Sequence, residues 1–204
     1  MALQSNRDHK VGLLGGTFNP VHMGHLHMAA GALKVVDEVW FLPLNIPPHK
    51  PTYEVVAGRH RAAMIEAAIR DEMHFKVCTV ELDRGGVTYT VDTLRELKER
   101  YPAYTFYYIV GADTVFQMTT WKNAREAMRL TRFLVVCRPG EAREKLTVRM
   151  EELRREGVGL TLLDLPEIDV SSTKVREALK RGKSLAGLLP ESVADYIDRW
   201  GLYR

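Results

Sequence analysis

Only two cysteines occur in the 204 residues, Cys78 and Cys137. They stand far apart, each in an apolar run, which excludes a disulfide framework and gives no metal-site spacing. They read as small core residues of a reduced, cytoplasmic protein. No run approaches the roughly 20 apolar residues that a membrane span needs, and the polar start lacks the apolar stretch of a signal peptide. Long lysine and arginine blocks are absent and the formal net charge is only +3. A nucleic-acid binder, which would need a concentrated basic stripe, is therefore disfavoured, and anionic small molecules suit the charge as well. Repeats, low-complexity tracts and flexible linkers are also missing. Hydrophobic residues at 46% and charged residues at 27% describe an ordinary globular chain able to bury a full core. We expect a tail over 1–9 and one domain over 10–204.

Apolar runs and helical spacing alternate along the chain. Strands are expected at 10–14, 38–42, 75–82, 104–110, 133–137 and 160–165, the third alternating enough to suggest a sheet edge. Helices are expected at 26–36, 58–71, 89–100, one or two within 114–129, and then 144–156, 173–181 and 191–199. A proline-rich stretch at 43–51 reads as a stiff loop. The expected class is α/β, a doubly wound, mostly parallel six-stranded sheet with right-handed crossovers. Ligands of such sheets bind beyond the carboxyl ends of strands, near the point where strand order reverses.

The first of those ends carries Gly15-Gly16-Thr17-Phe18-Asn19-Pro20-Val21-His22-Met23-Gly24-His25. Adjacent glycines allow close approach to the backbone, and a helix N-terminus offers unpaired N–H groups and partial positive charge to a phosphate. His22 and His25, three residues apart, share a helix face near that end. Gly24 costs roughly 1 kcal/mol against alanine in a helix, a penalty that makes sense where a ligand passes over a position without Cβ. His27, about 200° round the helix from His25, is left outside the site. One isolated histidine would more often be an ordinary surface or core residue; two on one face beside a glycine turn favour function.

A second helix start, Val170-Ser171-Ser172-Thr173-Lys174-Val175-Arg176, combines hydroxyl residues with basic ones. Lys174 and Arg176 stand against the helix dipole, and a bound anion would reverse that sign. A plain hydroxyl cap with solvent-facing basic residues is an equal alternative. Two phosphate-friendly helix starts suit a nucleoside triphosphate, yet neither is a Walker loop or a dinucleotide-binding glycine pattern. Nucleotidyl transfer becomes plausible. No Ser/His/Asp or Cys/His arrangement is evident, and the HxGH spacing lacks the i, i+4 histidine pair of zinc proteases, so no metal ligands are assigned.

These two stretches resemble the paired signatures of the HxGH nucleotidyltransferase superfamily. Pro47-Pro48-His49-Lys50, Tyr89-Thr90-Val91-Asp92-Thr93-Leu94, Gly111-Ala112-Asp113 and Trp121, in this order, resemble the bacterial nicotinate mononucleotide adenylyltransferase family, and the likeness runs over about 10–204. The resemblance implies a Rossmann-like nucleotidyltransferase fold and a step of NAD biosynthesis, in which ATP and nicotinate mononucleotide give nicotinate adenine dinucleotide and pyrophosphate. It further implies that His22, His25 and Arg176 are catalytic. Gly15, Gly16, Thr17, Phe18, Gly24, Gly111, Ser171, Ser172 and Thr173 would bind ATP. Lys50, Thr90, Asp113 and Trp121 would bind nicotinate mononucleotide, with Thr90 receiving the nicotinate carboxylate through backbone N–H groups and Trp121 stacking on the ring. Plainer roles are a helix cap for Thr90 and for Asp113, and a core aromatic for Trp121. Mg²⁺ would enter with the triphosphate. Thr88 stands where the family often has serine, and Ala30-Gly31 where an acidic residue is common.

The nucleophile of such a reaction is already an anion, so neither a general base nor a covalent intermediate is required. Alignment of two phosphates and stabilisation of charge would carry the rate. Rivals are an adenylyltransferase for nicotinamide mononucleotide or phosphopantetheine, and a non-catalytic nucleotide-binding module.

Overall fold

A computed structural model describes residues 9–46, 55–137, 143–166 and 168–204. Six strands, β1 (His9–Gly16), β2 (Glu38–Pro43), β3 (Phe75–Val77), β4 (Tyr104–Gly111), β5 (Arg132–Cys137) and β6 (Leu160–Asp164), form one sheet in the order β3-β2-β1-β4-β5-β6. Every pairing is parallel. The order reverses between β1 and β4, so the crevice of this doubly wound sheet opens at their carboxyl ends.

Period-2 alternation sends successive residues to opposite faces, and both faces are covered. Val11, Leu13, Phe106, Tyr108, Phe133 and Val135 enter one core; Leu14, Val39, Phe41, Tyr107, Ile109 and Leu134 enter the other. The first core is shared with α4 (Thr90–Arg100), α5 (Ala112–Gln117), α6 (Ala124–Leu130) and α7 (Arg143–Arg155). The second is shared with α1 (Met23–Ala32), α2 (Gly58–Ala68), α8 (Ser172–Lys180) and α9 (Glu191–Trp200). No helix among the described residues is long and apolar enough to cross a membrane.

The third strand is shorter than its sequence pattern suggests. It ends at Val77, and Val80–Arg84 forms a short helix, α3. Its partner β2 ends at Pro43, whose missing N–H cannot extend the ladder, and Thr79 Oγ1 instead donates to Asp83 Oδ2 at 2.8 Å. β3 is a sheet edge, as its alternation predicts. Helix α1 starts at Met23 and closes at Leu33, leaving Val35 and Val36 outside. The stretch expected to hold one or two helices holds α5, a 3₁₀ turn over Met118–Thr120 and α6. Gly31 has a packing reason: a Cβ there would run into Leu165, so α1 could not seat against the segment after β6.

Candidate active site

β1 delivers the first motif to the crevice. Gly15 and Gly16 are the last residues of the strand, and the chain turns through Phe18, whose φ of +49° is in the left-handed region that bulky residues avoid at a cost of about 1–2 kcal/mol. Burial offsets that cost, since the Phe18 ring is only 1% exposed and packs against Phe41. The Phe18 ring is therefore a support beneath the turn, between Phe41 and His25.

His22 is the N-cap residue of α1, and its ring stacks on that of His25 with centroids 3.7 Å apart and planes at 24°. The other flank of His25 meets the edge of Phe18 at 4.8 Å. The backbone N–H of His22 donates to His25 Nδ1 at 3.2 Å. A nitrogen that accepts carries no proton, so the neutral His25 ring holds its proton on Nε2 and can present it as a donor. Gly24 permits the stack, because a Cβ there would lie 3.1 Å from the His22 ring.

The second motif is fastened to the first. Ser172 Oγ donates to the Pro20 carbonyl at 2.9 Å, and Arg176 Nη1 donates to the Asn19 carbonyl at 2.8 Å. Ser171 is a hydroxyl cap that accepts from the Lys174 N–H at 3.2 Å, so the plain alternative holds for that residue. Lys174 pairs with Asp169, which offsets its unfavourable position on the dipole. Thr173 is exposed beside them. Arg176 thus braces the turn with one nitrogen, while its second contact, Nη2 to Thr173 Oγ1, is long at 3.4 Å.

One cavity joins these pieces, lined by His22, Gly24, His25, Gly111, Asp113 and Val170 among others. Gly111 is the N-cap position of α5 and Asp113 lies in its first turn, so Asp113 shares the histidine cavity and does not cap. His27 also lines it, with Nε2 2.9 Å from the Pro166 carbonyl. The helical wheel places His27 outside the site, but the chain after β6 folds over α1 and carries the cavity wall to it. Cys137, buried at the end of β5, is a wall residue as well.

Thr90 and Trp121 sit on the other side of β1, around Tyr108. The Tyr108 hydroxyl shares a hydrogen bond with the Thr90 side chain, and burial raises its pKa far above the phenol range. Trp121 is half-buried, edge-on to Tyr108 at 6.2 Å and tilted against Phe133 at 6.4 Å. Thr90 is in the first turn of α4, capped by Tyr89, so it is not itself the cap. Arg95 bridges Asp92 and Glu126, and Lys122 reaches Asp92 at 3.1 Å; these ion pairs tie α4 to the Trp121 segment. Thr88, buried, accepts from the Asn45 N–H at 3.3 Å and steadies the approach to α4. Lys50 lies outside the described residues.

Gly15 stands between the two sides. A Cβ there would penetrate the Tyr108 hydroxyl, and the buried ring cannot swing away. Gly15→Ala is expected to destabilise the fold by about 1–3 kcal/mol and to displace Thr90 with Tyr108. Thermal unfolding and the KM of each substrate test this; an unchanged Tm would mean that Tyr108 is free to move.

Arg61 has no counterpart in the sequence-derived site. It is 1% exposed, and its guanidinium donates to the carbonyls of Val56 at 2.8 Å, Thr17 at 2.8 Å and Asn45 at 3.4 Å. Burial lowers its pKa. Tyr203, near the chain end, donates to Asn19 Oδ1 at 2.9 Å, so the turn is gripped from α2, α8 and the C-terminal segment.

A crevice at the β1/β4 switch point with a helix N-terminus and imidazoles has the chemistry that suits phosphates. Residues 13–178 match the family model for cytidylyltransferase-like proteins, which puts the chain in the nucleotidyltransferase class. The chain is 40% identical over 196 residues to the probable nicotinate-nucleotide adenylyltransferase of Exiguobacterium sibiricum, covering 95% of this chain and 98% of that protein. It is 41% identical over 198 residues to the one from Halalkalibacterium halodurans, covering 96% and 91%. The chain belongs to the cytidylyltransferase-like family and, within it, to the family of these nicotinate-nucleotide adenylyltransferases. The fold also matches a Plasmodium falciparum nicotinic acid mononucleotide adenylyltransferase complexed with NaAD, with a TM-score of 0.77 and 20% identity over 95% of this chain and 97% of that one.

Proposed function

We propose that the protein transfers the adenylyl group of ATP to nicotinate mononucleotide, releasing pyrophosphate and forming nicotinate adenine dinucleotide, a step of NAD biosynthesis in the cytoplasm. The observation that carries this reading is the pair of stacked histidines at the α1 N-terminus, facing a cavity that Gly111 and Asp113 share. ATP would lie along that cavity, and the mononucleotide between Thr90 and Trp121. A phosphate oxygen of the mononucleotide attacks the α-phosphorus; the bond to the bridging oxygen breaks, and pyrophosphate leaves as an anion. No proton needs to move. His25 Nε2–H and the α1 amides donate to the phosphoryl oxygens, strongest as negative charge gathers there. His22 fixes the tilt of His25, and Arg176 adds a cation while bracing the turn. The same site reading gives Thr90 an anion-binding helix start for the nicotinate carboxylate and Trp121 a flat apolar face for the ring.

The donor set in the cavity, the three imidazoles of His22, His25 and His27 and the Asp113 carboxylate, suits phosphate oxygens better than the all-oxygen shell of Mg²⁺. Among the described residues no group of three or more His, Cys, Asp or Glu is placed to hold a metal ion. Mg²⁺ carried by ATP would neutralise charge on the triphosphate.

Pyrophosphate release from ATP, with nicotinate and nicotinamide mononucleotides offered separately, tests the reading. Turnover with a clear preference for the acid is expected. Preference for the amide overturns the substrate, and ATP binding without pyrophosphate release from any mononucleotide, or from phosphopantetheine, favours a non-catalytic module.

A further inference from the structure

Beneath the Thr90 side of the crevice lies a carboxyl group that the transfer reaction does not use. Glu81, on α3, is 0% exposed. Its Oε1 accepts from Thr93 Oγ1 at 2.8 Å, and Thr93 in turn accepts from Arg84 Nη2 at 2.8 Å. A hydroxyl has one proton, so in donating it to Glu81 Thr93 offers only a weak alternative at 3.5 Å to the Tyr89 carbonyl. Glu81 Oε2 is buried with no hydrogen-bond partner among the described residues. An ionised carboxylate in that setting would leave a buried anionic oxygen unsatisfied, so the neutral acid is the form that the site tolerates.

Thr93 and Thr90 are three residues apart on one face of the first turn of α4. Thr93 is bonded to Glu81, and Thr90 to Tyr108, which also lies within the electrostatic reach of Glu81. The charge on Glu81 is therefore felt at the helix start that would receive an anion. We propose that Glu81 is a specificity-determining positioning residue: neutral, it leaves the α4 start attractive to the acceptor's carboxylate, and ionised, it weakens selection of the acid over the amide.

This rests on the reading of Thr90 as the carboxylate's receptor. The groups facing Glu81 are Arg84 on its own helix, Glu96 and Thr93 from α4, Tyr108 from β4, and Cys78 before α3. Burial dominates and raises the Glu81 pKa to about 7, against the smaller lowering effects of Thr93 and Arg84. Both mononucleotides carry the same phosphate and meet the same histidines, so the ratio of kcat/KM for acid over amide cancels titrations that act equally on the two substrates, those at the phosphate side among them. That ratio is expected to fall roughly fivefold between pH 6 and 8.5, the size of a screened like-charge interaction through protein, about 1 kcal/mol. In Glu81→Gln it should stay flat. In Arg84→Met the midpoint should move upward, because the cation that favours the Glu81 carboxylate is lost while Glu96, still paired with Arg100, keeps its negative charge nearby. Stability follows the same group: its contribution is fully present below the ordinary carboxyl pKa of about 4.5 and is lost as pH rises through about 7, so the Tm advantage of wild type at pH 5 over pH 8 should shrink in Glu81→Gln.

A wild-type ratio that favours the acid but does not change with pH overturns the inference alone, as does the same fall in Glu81→Gln. Preference for the amide at every pH overturns the underlying substrate reading instead. If Glu81→Gln does not fold, the Arg84→Met midpoint decides: an upward move supports the role of Glu81, and an unmoved midpoint overturns it.

Discussion

His25→Ala lowers kcat about 100- to 1,000-fold while leaving nicotinate mononucleotide binding nearly intact. That range is what removal of one preorganised donor from a developing negative charge costs. The size follows from how the ring is held: Nδ1 occupied by the His22 N–H, one face on His22, and an edge of Phe18 against the other flank. None of these has to form when the charge appears. Single-turnover rates with excess ATP, together with direct binding of the mononucleotide, separate the two effects. Turnover within tenfold of wild type would remove His25 from the reaction. His25→Gln, which retains a donor on a longer and freer arm, should fall between.

Arg61→Met is expected to lower stability by about 3–4 kcal/mol, or roughly 10 °C in Tm for a chain of this length. The apolar stem is replaced at similar volume, but three carbonyl oxygens lose their donor in a place closed to solvent. Thr17 belongs to the turn between β1 and α1 that is proposed to hold phosphate, so turnover should drop as well, whereas the α4 side should keep its affinity for the mononucleotide. Thermal unfolding checks the first effect, and KM for ATP against KM for the mononucleotide checks the second. A loss below about 3 °C would mean that water replaces the guanidinium.

The site's two histidines were legible because a three-residue spacing on a helix is a local property: the HxGH run places both rings on one face whatever the rest of the chain does. Ser171 was legible as a helix start for the same reason. That Ser172 and Arg176 grip Pro20 and Asn19 was not, since those bonds span more than 150 residues. His27 misled for a related reason. Its angle on the helix is local, but the wall that brings it into the cavity comes from Pro166 and Ile168, which only the β6 crossover delivers. Arg61, Tyr108 and Glu81 gave no spacing signal at all, being single residues whose meaning is their burial.

By itself, then, the sequence determined the order of strands and helices, the parallel class of the sheet and the two helix starts that favour phosphate, because periodicity and capping are carried within a few residues. Tertiary structure alone decided that β3 stops at Val77, that Asp113 lies with the histidines while Thr90 and Trp121 gather around Tyr108, and that a carboxyl group with an unsatisfied oxygen lies beneath them. Burial and pairing between distant segments are sums over the whole fold, and no window of sequence contains them.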